Sequence, residues 1–294
     1  MALRLGTRGS ALALVQARAA AAALGGDVEI VEIVTTGDRD RALADKEKWV
    51  KELDRALLEG EIDLAVHSAK DVPGELTGGI TLVAALPRED PRDALVGASS
   101  LDDLPQGARV GTSSLRRAGQ LLALRPDLVV EPLRGNVDTR LRLVSEGPLD
   151  AAVLAQAGLN RLGRGSEGTP LDTLVPAPGQ GIVVLAARVG DTAAAAAALE
   201  ISDPAAFTSL RAERAIGLAL GADCTTAIGA HARPLDDDHL ELQVRLTTPS
   251  GGRVLDDLLD GPIEAAELLA ESIAQRLRSA GADELLAASR ETSP

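Results

Sequence analysis

The sequence of 294 residues holds one cysteine, one tryptophan, one phenylalanine and no tyrosine. A single cysteine excludes an internal disulfide framework and points to a reducing compartment. With so few aromatic rings, base stacking is hard to arrange. A net charge of −14 also sets long-range repulsion against any nucleic-acid partner. No apolar run reaches the roughly 18–20 residues that a membrane span needs, and the alanine run at 193–198 reads as a short helix. The first residues, Met1-Ala2-Leu3-Arg4-Leu5-Gly6, carry no apolar signal core. A cytoplasmic protein that binds neither nucleic acid nor membrane is therefore expected. It is expected to be a monomer, because no exposed apolar stretch suggests an obligate interface. Lysine is scarce as well: Lys46, Lys48, Lys51 and Lys70 are the only ones, so nearly all of the 30 basic residues are arginine.

What is present is an ordinary globular balance, 45% hydrophobic and 25% charged, over a length that suggests two or three domains. A weak internal repeat organises it. One copy runs from the apolar Leu3-Arg4-Leu5 through Gly6-Thr7-Arg8-Gly9-Ser10 into a helical pattern over 11–24. The other runs from Ala108-Arg109-Val110 through Gly111-Thr112-Ser113-Ser114 into a helical pattern over 115–124. Each then has a β-rich run (28–35; 128–133) ending in a polar loop, Thr36-Gly37-Asp38-Arg39 or Arg134-Gly135-Asn136-Val137-Asp138. A further helix leads to matching strands at 62–66 and 149–154. Strands alternating with helices predict two parallel α/β domains with binding loops at the strand C-termini. Ser10 and Ser113 or Ser114 are expected helix N-caps. Two equivalent loops, each with arginine (Arg8; Arg116 and Arg117), read as paired anion sites facing one cleft. From about residue 203 the pattern changes to a helix over 204–220, alternating segments at 227–232, 240–247 and 253–255, and an amphipathic helix over 262–280. That is a small α+β domain built on an antiparallel meander.

Four constellations carry chemistry. His67-Ser68-Ala69-Lys70-Asp71-Val72-Pro73 follows a strand, where α/β proteins place working side chains. Its Ser68 and Lys70 do not have the Ser-x-x-Lys spacing of a serine–lysine nucleophile. Gly111-Thr112-Ser113-Ser114-Leu115-Arg116-Arg117 and Leu133-Arg134-Gly135-Asn136-Val137-Asp138-Thr139-Arg140 present arginine forks, which bind carboxylates bidentately at any physiological pH. Arg161 comes from the next strand–helix junction. Arginines from several successive loops suit a ligand with several carboxylates. Cys224 sits among small polar residues on a loop, which fits a reactive thiol as well as a small buried hydrophobe. No histidine shares its loop, so a cysteine–histidine protease has little support. Nothing in the pattern suggests a metal centre.

With these segments quoted, the chain resembles the hydroxymethylbilane synthase (porphobilinogen deaminase) family over essentially its whole length. Arg88-Glu89-Asp90-Pro91-Arg92-Asp93-Ala94 and Pro178-Gly179-Gln180-Gly181 add to the match, and seven such segments in this order are highly specific. The resemblance implies two doubly wound α/β domains of type II periplasmic-binding-protein architecture with a cleft between them, plus a small C-terminal α+β domain. The implied boundaries are 1–88 with 182–200, then 89–181, then 201–294. It implies a dipyrromethane cofactor in thioether linkage to Cys224, and head-to-tail condensation of four porphobilinogen molecules with loss of ammonia. By the same resemblance Asp71 is the catalytic carboxylate, stabilising positive charge and handling protons. Lys70, Asp71, Thr112, Ser113, Ser114, Arg116, Arg117 and Gln180 hold the cofactor. Arg8, Ser10, Gln16, Arg134, Asn136, Arg140 and Arg161 receive substrate carboxylates. Asp38, Lys46, Lys48 and Trp49 belong to a lid or to the cleft.

Two stretches depart from the family pattern. The family's Gly- and Lys-rich lid loop is replaced by a short stretch at 39–48 without glycine, with Trp49 in the aromatic place. The usual Gly-Gly-Cys-x-x-Pro reads Ala222-Asp223-Cys224-Thr225-Thr226-Ala227 here. A two-domain protein that only captures an anionic solute is the main rival reading. The lack of a signal core and the Lys70-Asp71 and Cys224 motifs speak against it.

Overall fold

The computed structural model of the protein describes residues 2–33, 46–222 and 226–292, without the side chains of 46–49, 291 and 292. It divides into two compact units, 1–89 with 182–207 and 90–181 with 208–294.

In the first unit, β1 (Leu3–Arg8) leads into α1 (Ala11–Leu24), followed by β2 (Val28–Ile33), α2 (Lys46–Leu58), β3 (Leu64–Ser68) and β4 (Ile80–Ala85). The sheet has the order β2-β1-β3-β10-β4, with β10 (Val183–Arg188) supplied from far along the chain. β1, β2 and β3 are parallel, whereas β10 runs antiparallel to both β3 and β4. β3 is buried along Leu64-Ala65-Val66-His67, as a central strand covered on both faces must be. One face packs Leu5, Leu64, Val66 and Leu185 under Ala17 and Ala20 of α1 and Ala194 and Ala198 of α6 (Thr192–Glu200). The other packs Ala65 and Ala186 under Leu53, Ala56 and Leu57 of α2.

The second unit repeats this plan. β5 (Asp93–Val96), β6 (Arg109–Gly111), α3 (Leu115–Leu124), β7 (Val129–Glu131), α4 (Val137–Ser145), β8 (Ala151–Ala155), α5 (Gln156–Arg161) and β9 (Thr169–Leu171) follow in order. Their sheet has the order β7-β6-β8-β5-β9, with β5 antiparallel to β8 and β9. Each five-stranded α/β sheet thus has three adjacent parallel strands, as the alternation predicted, followed by one antiparallel strand that the alternation does not reveal and an edge strand that runs with the first three.

The same unit contains α7 (Pro204–Leu220) from Thr208 onward and a meander of β11 (Ile228–Pro234), β12 (His239–Thr247) and β13 (Val254–Pro262). Alternate residues of β12, Leu240, Leu242, Val244 and Leu246, are buried with Ile216, Ile273 and Leu277. The terminal helix expected over 262–280 is α8 (Ala266–Ser279), and a further helix, α9 (Ala282–Thr292), follows it. The meander lies against α3 and the loop at Val175 of this unit at two glycines. A Cβ on Gly119 of α3 would stand 2.2 Å from Thr247 Oγ1, and one on Gly229 would stand 2.5 Å from the Val175 carbonyl oxygen.

Candidate active site

The strand–loop–helix plan puts polar groups at the ends of the parallel strands of each unit. In the first, β1 ends at Arg8 and Ser10 caps α1, its Oγ accepting the Ala13 N–H at 3.3 Å. β3 ends at Ser68, and the next turn, Ala69–Asp71, carries Lys70 and Asp71. That turn is held by the Ala69 N–H donating to the Ile182 carbonyl at 3.0 Å. Gln16, one turn into α1, is 4% exposed. It exchanges hydrogen bonds with Ser68 at 2.8 and 3.1 Å, which ties the helix to the strand end. Arg8, Ser10, Gln16, His67, Ser68 and Asp71 line one small cavity of about 80 Å³, closed by Leu12, Ala13, Val50 and Val66. The helix N-terminus adds partial positive charge to it. Burial, helped by the Arg8 charge and opposed by Asp71, lowers the His67 pKa to about 4. At neutral pH the imidazole is therefore an uncharged hydrogen-bonding wall of this cavity.

In the second unit the corresponding loop is locked internally. Ser114 caps α3, accepting the Arg117 N–H at 3.4 Å, and Thr112 Oγ1 accepts the Ser114 N–H at 3.2 Å. Ser113 Oγ both donates to the Leu133 carbonyl at 2.9 Å and accepts the Leu133 N–H at 3.0 Å. Arg116 and Arg117 run inward to Asp93, which is fully buried. Arg116 Nη1 and Nη2 donate to Asp93 at 2.6 and 3.1 Å, and Arg117 Nε does so at 2.9 Å. Gln180 adds a bond from Nε2 at 2.9 Å, and the same nitrogen donates to the Pro91 carbonyl at 2.8 Å. Burial alone would raise the Asp93 pKa, but the charges of Arg116 and Arg117 outweigh it, and the carboxyl is held well below the usual carboxylate range. Two guanidiniums share this one carboxylate, and Arg116 Nε is buried without a hydrogen-bond partner.

At the next strand end, Asn136 caps α4, its Oδ1 accepting the Thr139 N–H at 2.9 Å. Arg134 lies exposed just before the cap, and Arg140 Nε donates to the Gly135 carbonyl at 2.9 Å. Arg161 closes α5 and donates to the Gly181 carbonyl at 2.7 Å.

The expected residues thus gather by unit: Arg8, Ser10, Gln16, Lys70 and Asp71 in the first, and Thr112, Ser113, Ser114, Arg116, Arg117 and Gln180 around Asp93 in the second. Asp38 and Cys224 lie outside the described residues, as do the side chains of Lys46, Lys48 and Trp49, whose backbone opens α2. Sequence reasoning left His67 and Asp93 without a role. Asp93 had one available signal, an acid opening the otherwise apolar run Asp93-Ala94-Leu95-Val96.

Both sites offer guanidinium groups of the kind that bind carboxylates, on the strand ends of an α/β fold. The family model described as "Porphobilinogen deaminase, dipyromethane cofactor binding domain" matches residues 3–196. A porphobilinogen deaminase of Thermus thermophilus is 43% identical over 293 residues, covering 96% of this chain and 97% of its own length. One of Rubrobacter xylanophilus is 50% identical over 242 residues, covering 78% and 79%. Among solved structures, the periplasmic VFT2 domain of Bordetella pertussis BvgS is 21% identical with a TM-score of 0.40, covering 68% of this chain and 86% of its own. The chain belongs to the porphobilinogen deaminase family, transferases of tetrapyrrole biosynthesis whose cofactor is a dipyrromethane. The paired guanidiniums, with one positive charge in excess of Asp93, fit the carboxylates of such a group.

Proposed function

We propose that this chain is a hydroxymethylbilane synthase that joins four porphobilinogen molecules head to tail, releasing ammonia at each step and freeing the linear tetrapyrrole by hydrolysis. The observation that carries the residue roles is the shared cavity of Asp71 with Arg8, Ser10 and Gln16. When bound, the dipyrromethane supplies the primer on which the pyrrole chain is built. Cys224 is its point of attachment, through a thioether. Arg116 and Arg117 hold its carboxylates, with Thr112, Ser113 and Ser114 shaping the loop and Lys70 adding charge. Arg8, Ser10, Gln16, Arg134, Asn136, Arg140 and Arg161 take the acetate and propionate groups of incoming porphobilinogen. The Asp71 carboxylate stabilises positive charge developing on the substrate as its amine leaves, and exchanges protons with that amine and the pyrrole nitrogen.

The reading includes a division into three domains, 1–88 with 182–200, 89–181 and 201–294, and a cytoplasmic monomer. The lone cysteine supports a reducing compartment, and no helix among the described residues is long and apolar enough to cross a membrane.

Intact mass of the purified full-length protein tests it. The wild type is expected to carry two linked pyrrole units and to gain further units with porphobilinogen. Cys224→Ser should have the mass of the bare chain. Asp71→Asn should keep the adduct yet fail to complete turnover, with its melting temperature little changed. An unmodified, folded wild type that ignores porphobilinogen would overturn the reading; normal turnover by Asp71→Asn would remove Asp71 from its role.

A further inference from the structure

We propose that Asp93 is the positioning residue behind the cofactor-binding arginines, fixing both guanidiniums and leaving them one positive charge in excess for a ligand carboxylate. This rests on the reading of Arg116 and Arg117 given above. Asp93 is 0% exposed and cannot itself meet a ligand. Both its oxygens are used: Oδ2 accepts from Arg116 Nη1, and Oδ1 accepts from Arg116 Nη2, Arg117 Nε and Gln180 Nε2. Backbone carbonyls hold the two forks as well. Arg116 Nη1 also donates to Val175 O at 2.8 Å, and Arg117 Nη1 donates to Val153 O at 2.9 Å. Each guanidinium is thereby set by contacts on two separate chain segments.

The arithmetic of charge matters as much as the geometry. Without Asp93, two buried like charges would sit side by side and repel; with a second carboxylate, the pair would be neutral and indifferent to an anion. A single acid leaves the pair ordered and still cationic. Gln180 extends the control, since its loop is held by the Gly179 N–H donating to the buried Glu213 carboxylate at 2.6 Å. Gln180 is 1% exposed, so it too acts through Asp93. An asparagine at 93 would replace one acceptor oxygen by a donor facing guanidinium N–H groups.

The test measures the fraction of full-length protein that carries the dipyrromethane mass, against thermal stability. Asp93→Asn is compared with a core variant, Leu128→Ala, whose side chain is buried among Leu121 and Val110; expression temperature is set so that both are folded to the same degree. Loading of Asp93→Asn is expected to fall about tenfold below the control, the scale on which groups behind a binding side chain act. If Asp93→Asn does not fold, Gln180→Met keeps the charge and removes one bond, and a smaller loss in the same direction is expected. Equal loading of the folded variant and its matched control would overturn the proposal and reduce Asp93 to a structural ion pair. A wild type without any adduct would instead overturn the functional reading itself.

Discussion

His67 is a base in a place that disfavours its charge. Its pKa in the folded protein is about 4, whereas the unfolded chain has the ordinary value near 6.5. Above pH 6.5 both states hold it neutral and its contribution is constant. Between about pH 6.5 and 4 the unfolded chain takes up a proton that the folded protein refuses, so stability falls with falling pH. The loss reaches on the order of 3 kcal/mol when the lower limit is passed. Denaturant unfolding at pH 7.5, 6.0 and 5.0 should show this slope in the wild type, and a shallower one in His67→Asn, whose side chain does not titrate. Parallel slopes for the two proteins would mean that the imidazole is not kept neutral by its cavity. The position is also informative about reading sequences. His67 stands at the end of a strand beside Asp71, which marks it as a candidate. Its neutrality depends on α1 and Arg8 covering it, and they come from elsewhere in the chain.

At the scale of elements, the helix N-termini are the recurrent device, and α4 shows what one contributes. Asn136 Oδ1 accepts from both the Thr139 N–H at 2.9 Å and its hydroxyl at 2.8 Å, with Arg134 and Arg140 on either side in sequence. Losing the cap in Asn136→Ala should cost about 1 kcal/mol of stability. Asn136→Asp keeps the cap and suits the helix dipole, yet places a negative charge where the proposed function puts a substrate carboxylate. It should retain the wild-type melting temperature while raising KM for porphobilinogen several-fold. An unchanged KM in Asn136→Asp would take this helix start out of the substrate site. Two of these starts were legible because their signals are local: Ser10 and Ser113 or Ser114 precede apolar periodic runs, and Ser10 and Ser114 are the observed caps, whereas the cap at Asn136 was not read as one. The antiparallel β5 and β10 were not legible, because their partners are set by contacts remote in sequence, Asp93 opposite Ala155 and Val184 opposite His67. Asp93 was hidden for the same reason: its meaning lies in Arg116, Arg117 and Gln180, each more than 20 positions away.

For the molecule as a whole, the grouping of the meander with 90–181 is a claim about cooperativity. The chain leaves the second unit after Gly181 and returns at Thr208, bringing α7 and the three-stranded sheet with it. What joins that sheet to the α/β part is close backbone approach. Gly119 faces Thr247 and Thr248, Gly229 faces Val175, the Ala230 N–H donates to Pro176 O at 2.9 Å, and Arg245 Nη1 donates to Thr173 O at 2.9 Å. Gly119→Ala separates the possible behaviours by sign. Within an isolated helix, alanine in place of glycine stabilises by about 1 kcal/mol. Here the new Cβ would lie 2.5 Å from the Thr248 carbonyl oxygen, and a backbone atom does not move aside cheaply, so overpacking of about 1–3 kcal/mol opposes it. If the two sheets form one cooperative block, Gly119→Ala destabilises, and amides of α3 and of β11 and β12 lose hydrogen-exchange protection together. If 208–292 folds as an independent body that merely rests on α3, the variant gains helix stability while β11 and β12 exchange as in the wild type. That second outcome would show that the meander is held by its own core and owes nothing to the sheet carrying Asp93.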